Sequence, residues 1–312
     1  MIYARTGKDS KMRLLKFVAF SVFVLTVISS THLSAKPDVK VKSIALGGGV
    51  HMLVGQGGNI GVFAGPDGIF MIDSQFKALG EKLSQAIRNI SDKPIKFVLN
   101  THWHFDHVDG NEIFAKKGAV IIAHEHVRKL MTKNQVLKAF NKKVPAAPKS
   151  ALPAITFTSD LTFHMNDETI KIFHVSNAHT GGDSVIHFVK ADVIHMGDTY
   201  FSGIYPFIDF QHGGGLDGMI TAVNRVLAIS GPNTKIIPGH GPLSNRANLK
   251  RYRHMLVTVR NRMAAAIKAG KSLPQLSKKS PIAEFDKEWG DGFLKPAKFL
   301  ELIYKGMKQA AN

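Results

Sequence analysis

Three histidines and an aspartate fall within six residues, His102-Trp103-His104-Phe105-Asp106-His107. No other stretch restricts so tightly what this chain can fold into. Neutral imidazole is the commonest zinc donor, and carboxylate oxygen follows it. On an extended loop, positions i and i+2 can converge on one ion, so His102 and His104 share a target. Asp106 and His107, where the chain turns into a helix, can face a second. The cluster follows the apolar run 95–99, which reads as a buried strand after Pro94, and so lies on a strand-to-helix loop. Core filling or a solvated loop does not account for such a density of ligands.

The chain around it reads as alternating sheet and helix. Glycine turns at 47–49, 55–59 and 65–68 separate strand-like runs at 41–46, 51–54, 60–64 and 69–72. Leu79, Leu83, Ile87 and Ile90 recur at helical spacing and predict a helix over 77–91. Short helices are expected at 112–117 and 124–133 around a strand at 119–123. Residues 142–155 hold three prolines without periodicity and predict an irregular loop. Further strands are expected at 161–164, 169–175, 184–189, 193–196 and 235–237, with a helix at 217–229. Ser244 is placed to cap a helix running to Ala269, closed by Gly270, and two more short helices are expected in 281–308. Strands and helices interleave without the regular alternation of a doubly wound parallel sheet, so a two-sheet sandwich with outer helices fits.

The segment Thr101-His-Trp-His-Phe-Asp-His-Val-Asp-Gly-Asn111 resembles the THxHxDHxGGN signature of the metallo-β-lactamase superfamily. Four further motifs follow the family order: Asp73 closing a strand, His179 in Ala-His-Thr-Gly-Gly-Asp-Ser, Asp198 in His-Met-Gly-Asp-Thr, and His240 in Pro-Gly-His-Gly-Pro. The resemblance spans roughly 41–243. It implies a four-layer αββα sandwich (α+β) with both metals at one edge of the sheets. It also implies a first metal on His102, His104 and His179, a second on Asp106, His107 and His240, and Asp198 bridging them. Asp73 would brace the site. Two zinc ions lower the pKa of a shared water, hold a hydroxide ready to attack a carbonyl and receive the leaving group. Asp106 would both bind metal and orient that nucleophile. An all-His/Asp ligand set also accepts iron or manganese.

The same resemblance narrows the chemistry. The β-lactamase subclass with a cysteine ligand is excluded by Asp198, and Phe201 replaces the lysine that often holds the antibiotic carboxylate there. His104 disfavours the flavodiiron type, which carries Glu at that position. Glyoxalase II proteins continue Gly-His-Glu-Tyr where this chain reads Gly-His-Gly-Pro, and the extra arm of RNase Z relatives is not evident. Hydrolysis of a β-lactam or similar cyclic amide is the leading expectation, a lactonase, esterase or glyoxalase II-like thioesterase the alternative, and a non-catalytic scaffold the remote one. Trp103, Phe105, Tyr200 and His212 are candidate substrate-pocket residues, Trp103 and Phe105 equally placed to pack beneath the loop. Asp109, where a glycine is usual, either adds a supporting hydrogen bond or does nothing.

Residues 1–35 have the layout of a secretory signal: a basic lead (Arg5, Lys8, Lys11, Arg13, Lys16), an uncharged apolar run at 17–28, and small residues up to Ala35. The apolar run falls short of the roughly 20 residues of a spanning helix, although a retained anchor is the alternative, and Met12 is a second candidate start. A periplasmic or secreted location follows, with no stable membrane anchor after cleavage. The domain reading is a signal at 1–35, a catalytic domain at 36–243 and a basic helical extension at 244–312 packed on the same domain. There are no cysteines, so disulfides and thiolate ligands are excluded. Of the net charge of +18, residues 241–312 carry +10. In an exported protein a solvated helical face explains this better than nucleic acid, and the expected partner is a small-molecule substrate.

Overall fold

The computed structural model describes residues 39–310, so the expected signal segment lies outside the described residues. The glycine-punctuated opening forms an antiparallel meander of β1 (Lys42–Gly47), β2 (Val50–Val54), β3 (Ile60–Gly65) and β4 (Gly68–Ile72). Gly47, Gly48 and Gly49 in its first turn have φ of +93°, +57° and +80°, a run that only glycine adopts without strain. Helix α1 (Gly80–Arg88) carries the chain to β5 (Ile95–Asn100), parallel to β4. Helices α2 (Phe105–Val108) and α3 (Asn111–Lys116) lead to β6 (Val120–His124), parallel to β5, and α4 (Glu125–Met131) follows.

The expected irregular loop 142–155 is corrected. A small hairpin of β7 (Gln135–Leu137) and β8 (Lys142–Val144) enters it, and β9 (Ile155–Phe157) then adds parallel to β6 as the sheet edge. The three prolines fall between β8 and β9, where no ladder needs their missing N–H.

The second sheet holds β10 (Asp160–Met165), β11 (Glu168–Val175), β12 (Asp183–Phe188) and β13 (Val193–His195) in antiparallel order. After α5 (Leu216–Ile229), β14 (Lys235–Ile237) pairs parallel to β13, and β15 (Ser244–Asn245) closes the edge. The long helix α6 (Arg246–Lys268) is capped by Asn245, whose side chain accepts from the Asn248 N–H, and not by Ser244, which belongs to β15. Helices α7 (Leu273–Lys278), α8 (Asp286–Trp289) and α9 (Pro296–Ala310) complete the chain.

The alternation of side chains along each strand builds the layers. Met52, Phe63, Phe70, Ile72, Leu99 and Ile122 point inward, against Ile170, Ile172, Ile186 and Phe188 of the second sheet. Their neighbours Leu53, Val62, Met71, Val98 and Ile121 point outward, onto Leu83 and Ile87 of α1 and Phe114 of α3. On the far side Val185, Ile194 and Ile236 meet α5, α6 and the C-terminal helices. The order is therefore helix, sheet, sheet, helix, as the αββα expectation has it. Burying each such side chain contributes about 1.5–3 kcal/mol. The segment after 243 shares this core: Tyr205 stacks on Phe299 of α9 with ring centroids 4.1 Å apart, and its hydroxyl donates to Asp286 of α8 at 2.8 Å.

Candidate metal centre

The parallel pairs β4/β5 and β13/β14 bring their C-terminal ends to one edge of the sandwich. Asp73 follows β4, the segment 101–107 follows β5, Asp198 follows β13, and His240 follows β14. His179 lies on the loop leading into β12, which runs antiparallel to β13 and so starts at the same edge.

The seven expected ligands come together there as two groups. His102, His104, His179 and Asp198 present ligand atoms all within 4.8 Å of one another, and Asp106, His107 and His240 do the same. Asp198 stands between the groups, 3.4 Å from His179 Nε2 on one side and 3.1 Å and 3.4 Å from His107 Nε2 and His240 Nε2 on the other.

Hydrogen bonds fix which nitrogen of each ring is free to bind. His179 Nδ1 is 2.7 Å from the Phe207 carbonyl, an acceptor only, so it donates and Nε2 keeps the lone pair. His104 Nε2 donates to Asp209 Oδ2 at 3.0 Å, leaving Nδ1 free. These two free nitrogens face each other at 2.8 Å. Lone pairs at that separation repel unless a positive charge lies between them. Burial holds the His179 imidazolium down to about 4, so a proton fits poorly there and a metal cation fits well. Thr101 Oγ1 donates to Asp73 Oδ2 at 2.7 Å and is left to accept from His102 Nδ1 at 3.0 Å. The His102 Nε2 lone pair is then buried and aimed into the group with no hydrogen-bond partner in the protein. Burial, reinforced by the neighbouring His107, also holds His102 well below the usual range.

The second group differs in charge. His107 Nδ1 donates to Asp73 Oδ2 at 2.8 Å, turning Nε2 toward Asp198 and His240. Burial opposes a proton on His107, but Asp198, Asp73 and Asp106 outweigh it and hold its pKa well above the usual range. Burial likewise opposes the His240 proton, and Asp198 and Asp106 raise its pKa to about 9. Burial pushes the Asp106 carboxyl up, yet His107 and His240 bring it down to about 2.

Asp73 braces the site as expected, fully buried, with φ +62° and bonds from Thr101 N, Thr101 Oγ1 and His107. Asp209 is a support that sequence reading missed. Its Oδ2 accepts from His104 and, at 2.7 Å, from His212 Nδ1, and these bonds hold its carboxyl well below the usual range against burial. Two glycines read only as turn or motif residues also prove specific: a Cβ on Gly58 would strike the His107 ring, and one on Gly239 would strike Asp198 Oδ1.

A cavity of about 410 Å³ opens over the ligands. Its walls are Phe105, Leu137, Phe140, Phe207 and Phe293, with Gln56 and Lys142 as polar members beside His104, Asp106, Asp198 and His240. Of the four expected pocket residues, Phe105 lines it. Tyr200 does not, because its hydroxyl turns away to Ser244 Oγ at 2.6 Å and its ring packs on Tyr252. His212 is buried behind His104 on Asp209. Trp103 is buried beneath the loop and borders a neighbouring cavity of about 300 Å³. Asp109 accepts from the Lys77 N–H at 2.9 Å and so ties down a neighbouring turn, away from the ligands.

Comparison with known proteins agrees with this geometry. The sequence profile of the metallo-beta-lactamase superfamily matches residues 53–240. Among curated proteins, a hydroxyacylglutathione hydrolase of Pelagibacter ubique (strain HTCC1062) is 31% identical over 119 residues, which is 37% of this chain and 41% of that protein. One of Erythrobacter litoralis (strain HTCC2594) is 30% identical over 109 residues, 35% of each. The match thus spans about two fifths or less of these relatives' length. Among solved structures, a metallo-beta-lactamase from Pontibacter korlensis superposes with a TM-score of 0.57 at 18% identity, covering 70% of this chain and 99% of that one. A stereoselective inverting sec-alkylsulfatase from Pseudomonas sp. gives 0.62 at 16% identity, covering 85% of this chain and 50% of that one. At such identities these structures share the fold. The chain belongs to the metallo-β-lactamase superfamily, whose members are hydrolases.

Proposed function

We propose that this protein is a two-zinc hydrolase cleaving the carbonyl C–O or C–S bond of an ester, lactone or thioester with a largely apolar body. The observation that carries this is the pair of ligand groups joined by Asp198, opening onto a phenylalanine-walled cavity. Zinc held there supplies an activated water and polarises a carbonyl. The protein's own part is to hold the ligands in one tautomer through Asp73, Asp209 and the Phe207 carbonyl, and to offer aromatic walls to the substrate's apolar body. Asp106, partly exposed to the cavity and with its carboxyl held ionised, is the group placed to accept a hydrogen bond that orients the attacking nucleophile. The curated relatives named hydroxyacylglutathione hydrolase support a thioester or ester over an amide.

Cleavage of a β-lactam is the second reading. Lys142 at the cavity wall favours it, since it can meet a carboxylate such as those substrates carry. Against it, Phe201 is buried with its ring stacked on His240, so no carboxylate is held from that position. We also infer export, supported by the basic lead and apolar run within residues 1–35; fractionation of the producing cell tests it, and retention of the full-length chain in the cytoplasm would refute it. For the activity, zinc-loaded protein is assayed with nitrocefin, a carbapenem, an acyl-homoserine lactone and S-lactoylglutathione. Turnover of the lactone or thioester, abolished by a chelator and restored by zinc, is expected. Turnover of nitrocefin alone would replace this reading with the second. Failure on all four, and on simple aryl esters, with metal bound would overturn both.

A further inference from the structure

The hairpin β7–β8 reaches the cavity with Leu137, Phe140 and Lys142. The chain segment that carries it is basic, although Asp109 and Glu112 face Lys142 and Lys143 across the neighbouring cavity and Asp106 and Asp198 share the metal-side one. Arg128, Lys129, Lys133, Lys138, Lys142, Lys143 and Lys149 fall within 22 residues that contain no Asp or Glu. A solvated face normally mixes signs, so a run of one sign argues for an anionic counterpart.

Lys142 is the member of this run that matters at the site. Its Nζ lies 3.1 Å from the centroid of the Phe105 ring, so it is held over the aromatic wall by a cation–π contact, with no carboxylate paired to it among the described residues. It is also the one Lys or Arg lining the metal-side cavity among the described residues. Apart from Gln56 and the candidate ligands, the other walls are phenylalanine and leucine, which accept an apolar body and carry no charge to select it. Phe140 and Phe293, 44% and 54% exposed at the mouth, leave the cavity open from the side of the hairpin. Lys142 can therefore leave the Phe105 face for a better partner without repacking a core.

From this arrangement we infer that Lys142 determines specificity, selecting substrates whose apolar body ends in a carboxylate or similar anion. The inference rests on the proposed carbonyl hydrolysis for its catalytic consequence, but not for the binding it describes. The ammonium meets the anion while the apolar body lies against Phe105, Phe140 and Phe207, which sets the scissile carbonyl toward Asp106 and His240. Lys143, next along the hairpin, lines the neighbouring cavity and not this one, and so serves as the control.

The test uses zinc-loaded full-length protein with 4-nitrophenyl valerate and mono-4-nitrophenyl glutarate, which differ only by a terminal carboxylate in place of a methyl. Wild type should prefer the glutarate. Lys142→Ala should lower the glutarate-to-valerate ratio of kcat/KM about tenfold, mainly through KM, in line with one partly desolvated charge pair. Lys142→Arg should keep most of the preference, Lys142→Glu should reverse it, and Lys143→Ala should leave it as it was. Calorimetric binding of 4-phenylbutyrate, which needs no turnover, should weaken by a similar factor in Lys142→Ala alone. If both esters turn over but neither the ratio nor the binding responds to Lys142, the inference falls while the hydrolase reading stands. If neither ester turns over yet phenylbutyrate binding depends on Lys142, the inference stands and the proposed hydrolysis is decided by the lactone and thioester assays.

Discussion

On the proposed two-metal reading, replacing Asp209 should loosen one ion and spare the other. Its carboxylate is buried and receives His104 Nε2–H at 3.0 Å and His212 Nδ1–H at 2.7 Å. Of these, the bond to His104 acts on the metal, because it keeps the proton on Nε2 and turns Nδ1 toward His179. A hydrogen bond to a charged group contributes about 1.5–3 kcal/mol, and one decade of affinity is about 1.4 kcal/mol. Asp209→Ala should therefore weaken the ion on His102, His104, His179 and Asp198 by roughly 10- to 100-fold, the range typical of a lost partner behind a metal ligand. Asp209→Asn should cost less. Both bonds converge on Oδ2, so an amide oxygen placed there preserves them, while the charge and the 3.3 Å bond that Oδ1 accepts from the His212 N–H are lost.

Competition against a chromophoric zinc chelator reads both affinities, and cobalt substitution reads the ligand field of each ion. Asp73→Ala provides the contrast. Asp73 holds His107 directly and orients His102 through Thr101, so its loss should weaken both ions. Tight binding of both ions by Asp209→Ala, or equal weakening of the two, would refute the assignment. Circular dichroism and Tm separate loss of fold from loss of metal, and Asp209→Asn, which keeps the shape, decides the matter if the alanine variant does not fold.

Three further outcomes follow from the same geometry. The pKa of His107 is raised well above the usual range and that of His240 to about 9, so their protonated, ion-paired form is fully present below about pH 6.5 and, for His240, lost as pH rises through about 9. A metal must displace those protons; dialysis at pH 9, 7.5 and 6 should lower the bound metal from two ions toward one, from the group with Asp106, and equal loss from both groups would contradict this. Gly58→Ala drives a methyl into the His107 ring, so it should cut affinity at that same group at least tenfold with little change in the other, read by the chelator assay. Phe299→Ala removes a fully buried ring stacked on Tyr205 and should cost about 3–5 kcal/mol, seen as a lower midpoint in urea; an unchanged midpoint would mean that α9 is not part of the core.

The strands and ligands were legible because each is dictated by its own residues. The apolar runs at 69–72 and 95–99, each set off by a glycine or proline and too short for a helix, point to buried strands, and the structure places them in adjacent parallel strands. The weak points are short elements that exist only through their pairing. β8 is Lys-Lys-Val and β9 is Ile-Thr-Phe, runs too short for a period, and each is made a strand by a neighbour that sequence does not reveal. Ser244 had the chemistry of a helix cap, but Tyr200 takes its hydroxyl and Asn245 does the capping.

The same division runs through the site. A metal ligand must be one of a few residue types, so seven of them stood out in the sequence and all seven converge. What orients those ligands carries no such mark. His179 is fixed by the backbone carbonyl of Phe207, which any residue could supply, and His104 by an aspartate 105 positions away. Tyr200 and His212 were read as pocket residues because they follow a ligand motif, yet neighbourhood in sequence does not fix direction. Tyr200 turns into the helical layer and His212 onto Asp209, while the cavity is walled by Phe140 from one hairpin and Phe293 from the C-terminal segment. The residues that choose the substrate thus come from the segments with the weakest sequence signals. That is why the reaction class could be read from motifs and the substrate has to be argued from Lys142 and its aromatic wall.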